Sequence, residues 1–405
     1  MSRPGSTADD LPDPARMLMW DETEKIAGNR NMKSLFAVEE FANDPRKVSP
    51  LPYSDPLTMV TYRAGGQSCS LDDYLRRQNV TGLLVMKDRS IVLERYAYGN
   101  TQHTRWTSWS VGKSLLSTLA GIALKDGYIR SLDVPVIRYV GELRGSAYDG
   151  VTLRHMLQMS SGVKWNEDPN APPPNVTDFA RCLIERRAGS VLALAGQLTR
   201  AIDPGTGMPA MPGAVWNYSN VEAFIIGVAL QRAIGGTLAK YVEEKIWQPC
   251  GMEETGYWMS ESDGGVNSGA GDFSAVLRDY GRLALFIMDG GILPDGTCCL
   301  PEGWMREATT WAPQSADPAV PAASSGRYGY LWWHLPVAPG LGMEPEVTST
   351  SHATFSAVGL FGQYIFINPK EKLLMVQWSA YPQPQFAVPA IETATFFNAL
   401  SEALR

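Results

Sequence analysis

The pair of residues most able to do chemistry in this chain is a serine and a lysine three positions apart. Ser110 and Lys113 open the stretch Ser110-Val-Gly-Lys-Ser-Leu-Leu. The apolar run continues without proline until Pro135 and predicts a buried helix that begins near Ser110. Residues three apart share a helix face, so the Ser110 hydroxyl and the Lys113 amine can meet. An amine in a dry pocket can act as the base that a serine nucleophile needs. The alternative is a helix-capping serine followed by a surface lysine.

A tyrosine and an asparagine form the second candidate group. Tyr218 and Asn220 precede an apolar helical pattern that runs from Val221 to Ile234. Tyr218 is a candidate proton relay between Ser110, Lys113 and the leaving group, and a neighbouring ammonium would lower its pKa. Asn220 is predicted to hold the substrate or to orient Lys113. The alternative is that Asn220 only caps the helix and Tyr218 only packs.

A glycine-containing segment near the C-terminus is the third candidate group. In Ser356-Ala-Val-Gly-Leu-Phe-Gly-Gln363, Gly359 and Gly362 allow the backbone to approach a ligand closely. The amide of Leu360 could pair with the amide of Ser110 as an oxyanion hole, which also benefits from the helix N-terminus. The alternative is a bulge in an edge strand.

The elements that must position these groups are strands at both ends of the chain and helices between them. Residues 1–80 are rich in proline and predict an extended arm with one short helix, Leu71–Arg77. Predicted strands cover 82–87, 90–98, 328–334, 352–358, 363–367 and 373–379, and predicted helical segments cover 153–159, 177–187, 221–234, 273–288 and 388–404.

This order predicts an α+β fold. An antiparallel sheet would be flanked by the first and last helices, with an inserted all-helical domain and a cleft between the two lobes. The predicted divisions are an N-terminal arm and the first part of the α/β domain over 1–112, a mainly helical domain over 113–262, and the remainder of the α/β domain over 263–405.

Composition excludes several classes of function. The net charge of −7 leaves no basic patch, so nucleic acid is not expected as a partner. Five scattered cysteines, no apolar run of membrane-spanning length and no apolar leader favour a cytoplasmic protein that does not engage a membrane. With four histidines and no His-Glu-x-x-His, neither a metal nor another cofactor is expected. The expected partner is a small-molecule substrate, and a homodimer is compatible with the sequence.

Taken together, the three ordered motifs resemble the serine β-lactamase and penicillin-recognising superfamily, most of all its class C and family VIII esterase branch. The resemblance covers about residues 80–405 and implies a β-lactamase-like fold. It implies Ser110 as nucleophile, Lys113 as base, Tyr218 as proton relay and the Ser110 and Leu360 amides as the oxyanion hole. Within the branch, Gly145-Ser-Ala-Tyr-Asp-Gly, Trp165-Asn-Glu-Asp and Gly359-Leu-Phe-Gly-Gln are similar to segments of the hydrolases of 6-aminohexanoate dimers.

One departure from that pattern narrows the substrate class. The superfamily's Lys-Thr-Gly, whose cation grips a drug carboxylate, is matched here by Ala357-Val-Gly359. The resemblance therefore implies poor β-lactamase and DD-peptidase activity. Several bulky apolar side chains suggest an uncharged acyl or amide substrate. The alternative is that they belong to the core, where such side chains lie just as often. The predicted substrate-binding residues are Asn220, Trp109, Trp216, Gly359, Phe361, Trp332 and, with them, Trp333.

The sequence thus predicts a serine hydrolase that cleaves carboxylic esters or linear amides through an acyl-enzyme. An acyltransferase on the same fold and a non-catalytic binding protein remain alternatives. An α/β-hydrolase is disfavoured because Ser108-Trp-Ser-Val-Gly112 only approximates the Gly-x-Ser-x-Gly turn and no strongly apolar strand precedes it. Nor does any histidine suit a triad, although His103 and His352 are candidate modulators.

Overall fold

The computed structural model describes residues 11–312, 327–334, 354–381 and 387–405. Its α-helices are α1 Glu22–Arg30, α2 Met32–Leu35, α3 Leu71–Arg77, α4 Val111–Lys125, α5 Leu153–Leu157, α6 Val176–Ile184, α7 Ser190–Gln197, α8 Asn220–Ile234, α9 Leu238–Val242, α10 Leu277–Met288, α11 Trp304–Ala308 and α12 Ala387–Ala403. Its strands are β1 Val38–Phe41, β2 Thr61–Ala64, β3 Gln67–Ser70, β4 Val80–Lys87, β5 Ser90–Tyr96, β6 Trp106–Thr107, β7 Gly256–Met259, β8 Phe273–Ala275, β9 Arg327–Tyr328, β10 Trp333–His334, β11 Phe355–Gly359, β12 Gln363–Asn368 and β13 Leu373–Ser379.

The main sheet is antiparallel and takes its strands from the two ends of the chain. Its seven strands follow the order β5-β4-β13-β12-β11-β10-β9. In its middle, β13 pairs with β4 through Met375 opposite Val85. Residues of β4 are almost all buried, as expected for a central strand covered on both faces. A four-stranded sheet, β1-β7-β8-β6, lies beside the segment that leads into α4.

Helices cover both faces of the main sheet. Ile365 and Ile367 of β12 line a small closed cavity together with side chains of α4 and α10. Phe366, between them, stacks on Phe397 of α12 with ring centroids 5.0 Å apart. Alternate residues of a strand point to opposite faces, so α4 and α10 lie on one face and α12 on the other. The core is continuous from the sheet into the helices that follow α4.

The predicted strand–helix–strand order is confirmed. In the chain, helices α4 to α9 lie between strands β4 and β5 and the strands from β9 onward. Helix α8 covers 220–234 and ends at Gly235, which has a φ of 70° and caps it in the left-handed conformation. The domain boundaries after residues 112 and 262 stay a prediction, and the first two residues of the strand predicted over 352–358 lie outside the described residues.

Three predictions about local structure are wrong. The single strand predicted over 328–334 is instead a hairpin of β9 and β10, in which Trp333 pairs with Tyr328. The arm before residue 80 is not simply extended, because it contains α1, α2 and three strands. Helix α1 begins with a capping box between Asp21 and Glu24, and its buried residues include the polar Lys25 and Asn29, which conceal the apolar periodicity. The helix predicted from residue 273 begins only at Leu277, because 273–275 form β8 between β7 and β6.

Within the described part of the chain, no single helix is long and apolar enough to cross a membrane. Only the pair formed by Asn220–Ile234 and Leu238–Trp247 meets the length and composition test jointly, and its two helices are bent by 70°.

Candidate active site

The start of α4 brings Ser110 and Lys113 together, as their spacing predicted. Ser110 immediately precedes the helix and is partly exposed, whereas Lys113 is only 1% exposed. Lys113 Nζ lies 2.9 Å from Ser110 Oγ and donates a hydrogen bond to it. Gly112 leaves room for the backbone of Gly271 beside the helix, because a Cβ at position 112 would lie 2.7 Å from the Cα of Gly271. The helix can therefore sit directly on the 270–272 backbone.

Lys113 is held in a dry environment by polar groups from two further segments. Its amine donates to Asn220 Oδ1 at 2.6 Å and to the carbonyl of Ala270. Burial lowers the pKa of Lys113 to about 8, although the negative charges of Glu167 and Asp272 oppose that shift. With a pKa of about 8, roughly a tenth of the amines are neutral at pH 7. The amine is therefore poised to accept a proton.

Tyr218 stands over the amine, with the Lys113 Nζ 5.0 Å from the centroid of its ring. The expected fall in its pKa is wrong. Burial raises the pKa of Tyr218 above its ordinary value, and a hydrogen bond with Ser110 opposes this only in part. The cost of taking a phenolate out of water exceeds the attraction of a neighbouring amine that is itself largely desolvated. Tyr218 is therefore a neutral phenol that can donate a proton.

Asn220 lies beside Lys113 because a different residue caps α8. The Ser219 side chain accepts a hydrogen bond from the Glu222 amide at 3.2 Å, which leaves the Asn220 side chain free to face Lys113. Asn220 in turn donates through its Nδ2 to Glu167 Oε2 at 2.7 Å and through its backbone amide to Glu167 Oε1 at 2.8 Å. Trp165 Nε1 completes the set with a bond of 2.6 Å to Glu167 Oε1.

Glu167 and Asp272 are two acidic residues that the sequence analysis did not single out. The only available signal for Glu167 was its place in the quoted Trp165-Asn-Glu-Asp segment. Asp272 lies at the left-handed φ of 67°, and its backbone amide donates to the carbonyl of Trp109 at 3.0 Å. Burial raises the pKa of Asp272 to about 6, opposed by the charge of Lys113. Among the described residues, no side chain or backbone group forms a hydrogen bond with its carboxylate.

The opposite side of the serine is built from backbone. Trp109 and Phe361 both have left-handed backbones, with φ of 45° and 60°, and their rings meet edge to face at 5.5 Å. Such a conformation costs a bulky residue about 1–2 kcal/mol. A Cβ on Gly359 would lie 2.4 Å from the carbonyl oxygen of Ser108, so only glycine lets the end of β11 reach the serine segment. Across the described ranges, no group accepts a hydrogen bond from the amides of Ser110 and Leu360.

The predicted pocket aromatics divide into two groups. Trp216 and Trp333 are partly exposed, and Trp333 lies beside Tyr218 with ring centroids 5.7 Å apart. Trp109, Phe361 and Trp332 are at most 5% exposed. Trp332 packs edge to face on Phe355, 5.1 Å between centroids, inside the core. These three rings are buried beneath the surface of the protein. Their positions therefore do not support the predicted direct contact with substrate.

Of the two histidines proposed as modulators, only His103 is among the described residues, and it lies away from this arrangement. His103 is exposed, and its Nδ1 lies 3.1 Å from Glu254 Oε1 at the surface. His352 lies outside the described residues. Within the described ranges, the site consists of a serine, a lysine, a tyrosine, an asparagine and two carboxylates.

Comparison with known proteins identifies the family of the chain. The family model for beta-lactamase matches residues 71–396. The chain belongs to the beta-lactamase family. Its sheet and flanking helices are the beta-lactamase-like fold, and the serine–lysine pair lies at the start of α4.

Relatives within the beta-lactamase family carry several activities. The chain is 24% identical over 320 residues to the 6-aminohexanoate-dimer hydrolase of Paenarthrobacter ureafaciens, which covers 78% of this chain and 76% of that protein. It is 28% identical over 218 residues to the esterase EstB of Burkholderia gladioli, covering 49% and 47% of the two chains. Among solved structures, a candidate 6-aminohexanoate-dimer hydrolase from Bacillus anthracis superposes with a TM-score of 0.75 over 93% of each chain, at 19% identity.

Proposed function

We propose that this beta-lactamase-family chain is a serine hydrolase that cleaves carboxylic esters or linear amides through an acyl-enzyme. The observation that carries the proposal is the 2.9 Å contact between Lys113 Nζ and Ser110 Oγ, made by an amine whose pKa burial lowers to about 8. A nucleophile, a base of suitable pKa and a proton donor then meet at one point. No metal or organic cofactor is needed for this reaction.

Acylation follows from the roles of the three side chains. Neutral Lys113 takes the Ser110 proton while Oγ forms a bond to the substrate carbonyl carbon. The Ser110 and Leu360 amides hold the oxygen that becomes negative. When the tetrahedral intermediate collapses, the bond to the leaving alcohol or amine breaks and Tyr218 supplies its proton. Tyr218 regains a proton from protonated Lys113, which resets the base.

Deacylation uses the same groups in reverse. A water molecule attacks the acyl carbon, and its proton passes to the neutral Lys113. The ester bond to Ser110 then breaks and Oγ recovers its proton. An alcohol or amine in place of water would give acyl transfer, which is the alternative reaction of the same intermediate.

The charges around the site support neutral or cationic esters and amides over β-lactam substrates. Glu167 and Asp272 both act on Lys113, and Ala357-Val-Gly359 supplies no cation at the strand where a carboxylate would be held. A substrate anion would find no cation on this strand, and beside Lys113 it would meet the negative charges of Glu167 and Asp272. The name of the Paenarthrobacter relative adds linear amides, and that of EstB adds esters, to the classes worth testing.

The test compares the wild type with Ser110→Ala on p-nitrophenyl acetate and butyrate, with intact mass measured after an alkyl phosphonate. We expect one phosphonyl adduct on the wild type, none on Ser110→Ala, and loss of at least about 10³-fold in ester turnover. Ser117→Ala, two turns along the same helix, is the matched control and should keep both properties. Linear amides, including aminohexanoate oligomers, are then ranked against the esters.

Two outcomes would contradict the proposal. A folded wild type with neither turnover nor an adduct would favour a binding protein on this fold. Equal loss in Ser117→Ala would mean that helix α4, and not the Ser110 hydroxyl, is what the substitution disturbs.

A further inference from the structure

Helix α1 lies outside the region that the family model matches, yet it contacts Trp109, the residue that precedes the serine. The matched region begins at residue 71, whereas α1 spans Glu22–Arg30. Arg30 fastens its end through a bond of 2.8 Å from Nη2 to Asn100 Oδ1 and another of 2.7 Å to the carbonyl of Tyr98. The helix is therefore anchored to the body of the protein independently of the site.

Asn29 of α1 holds the residue that precedes the serine. Trp109 donates through its indole Nε1 to Asn29 Oδ1 at 3.0 Å, and both side chains are buried. Trp109 has the left-handed φ of 45°, which a bulky residue keeps only when its surroundings hold it there. The peptide plane between Trp109 and Ser110 contains the Ser110 amide. Asn29 thus helps to determine where that amide points.

Lys25 of α1 holds the residue that follows Leu360. Its ammonium lies 4.5 Å from the centroid of the Phe361 ring and donates to the carbonyl of Tyr381 at 2.8 Å. Tyr381 in turn donates its backbone amide to the carbonyl of Phe361 at 3.0 Å. Lys25 therefore touches the left-handed Phe361 from two directions, through its ring and through its backbone partner.

We propose that α1 is part of the catalytic apparatus: Asn29 and Lys25 are positioning residues that fix the Trp109 and Phe361 backbones and so aim the Ser110 and Leu360 amides at the substrate oxygen. This inference rests on the proposed function, because it assigns those two amides the role of the oxyanion hole. Both residues act through others and neither touches the reacting atoms. The contact of the Trp109 and Phe361 rings at 5.5 Å joins the two supports into one unit.

The consequence is specific to the transition state. A small rotation of either amide weakens its bond to the developing oxyanion and leaves ground-state binding of the neutral ester nearly unchanged. A loss of support from α1 should therefore lower kcat with little change in KM. A general loss of folding would instead lower the concentration of active protein. The protein that stays folded would keep its affinity for an analogue of the transition state.

The test uses Lys25→Met and Asn29→Leu, which keep side-chain volume and remove the polar contact. We measure kcat and KM on p-nitrophenyl butyrate, the thermal midpoint, and inhibition by n-butylboronic acid, which forms a tetrahedral anion on a serine. We expect kcat to fall about 10- to 100-fold in each variant, KM to stay within about threefold, and boronate affinity to fall in parallel with kcat. Ile26→Ala is the matched control, because it removes buried volume from the same helix between the two positions.

The control separates positioning from stability. Ile26→Ala should lower the thermal midpoint and leave kcat and boronate affinity of the folded protein within about twofold. If Lys25→Met and Asn29→Leu do not fold, Trp109→Phe replaces the indole with a smaller aromatic ring, removes the bond to Asn29 and should show the same pattern. The inference is overturned when the variants keep kcat and boronate affinity, or when Ile26→Ala loses them equally. A wild type that turns over no ester overturns the proposed function and this inference together.

Discussion

The two sides of the candidate site are built by different means. The helical side is built from side chains. Lys113, Asn220 and Glu167 form a chain of hydrogen bonds, of which the Lys113–Asn220 bond measures 2.6 Å. The sheet side is built from backbone, through the left-handed conformations of Trp109 and Phe361 and the close approach of Gly359 to the Ser108 carbonyl. In the proposed mechanism, the first side sets proton affinities and the second sets the direction of two amides.

This difference indicates how each side should fail. A side-chain network loses its function when one charge or hydrogen bond is removed, with the fold kept. A backbone arrangement fails when added volume or a lost support shifts the chain, and stability falls together with activity. Variants that separate activity from stability therefore test the comparison directly.

The largest effect is expected on the helical side. Lys113→Met should reduce kcat/KM on p-nitrophenyl butyrate by about 10³-fold, because it removes the base and keeps a buried side chain of similar length. The thermal midpoint should change little, since the desolvation that lowers the Lys113 pKa to about 8 opposes the charged amine in the folded state. Steady-state kinetics and thermal unfolding measure both. Lys125→Met, at the end of the same helix, is the control, and near-normal turnover by Lys113→Met would remove Lys113 from the mechanism.

A smaller effect is expected on the sheet side. Gly359→Ala should lower kcat by up to about 10²-fold and also lower the thermal midpoint. The new Cβ would lie 2.4 Å from the Ser108 carbonyl and 3.2 Å from the Trp109 Cβ, so β11 must move away from the serine. Gly141→Ala is the control, because the space around Gly141 is open. An unchanged kcat beside a lowered midpoint would show that the end of β11 has a structural role only.

The same division explains what the sequence could predict. The sequence singles out Ser110, Lys113, Tyr218 and Asn220 because reactive residue types occur there at short spacings, and it predicts α4 from its apolar run. Helix α1 was missed because it has only nine residues and buries Lys25 and Asn29 among its apolar neighbours. Local periodicity carries no signal for polar residues that are buried only after distant segments meet.

Direct contact with substrate could not be read from residue type. Trp332 and Trp333 are adjacent in the sequence, but Trp332 is 1% exposed and Trp333 is partly exposed beside Tyr218. Which of the two tryptophans faces Tyr218 depends on the pairing of β10 with β11, a contact between segments that are separated in the chain. The pKa of Tyr218 was mispredicted for a similar reason, since burial by the whole fold outweighs one neighbouring amine.

Asp272 joins the two sides, and its substitution should have the smallest effect. Its amide binds the Trp109 carbonyl on the sheet side, while its carboxylate raises the pKa of Lys113 on the helical side. Asp272→Asn removes the charge and keeps the amide, so the pKa of Lys113 should fall further below its usual value. The acid limb of the pH profile of kcat/KM should then move to lower pH. At pH 7 the gain should stay below about tenfold, because roughly a tenth of the Lys113 amines are already neutral.

The control for this shift is Asp55→Asn, an exposed carboxylate in the segment before β2 that should leave the pH profile unchanged. A neutral ester is the substrate, so that the charge of Asp272 acts on the enzyme alone. If the acid limb moves and the high-pH plateau stays, Asp272 acts by charge on the helical side. If the limb stays where it is, Lys113 does not sense this carboxylate, and the two sides of the site are independent.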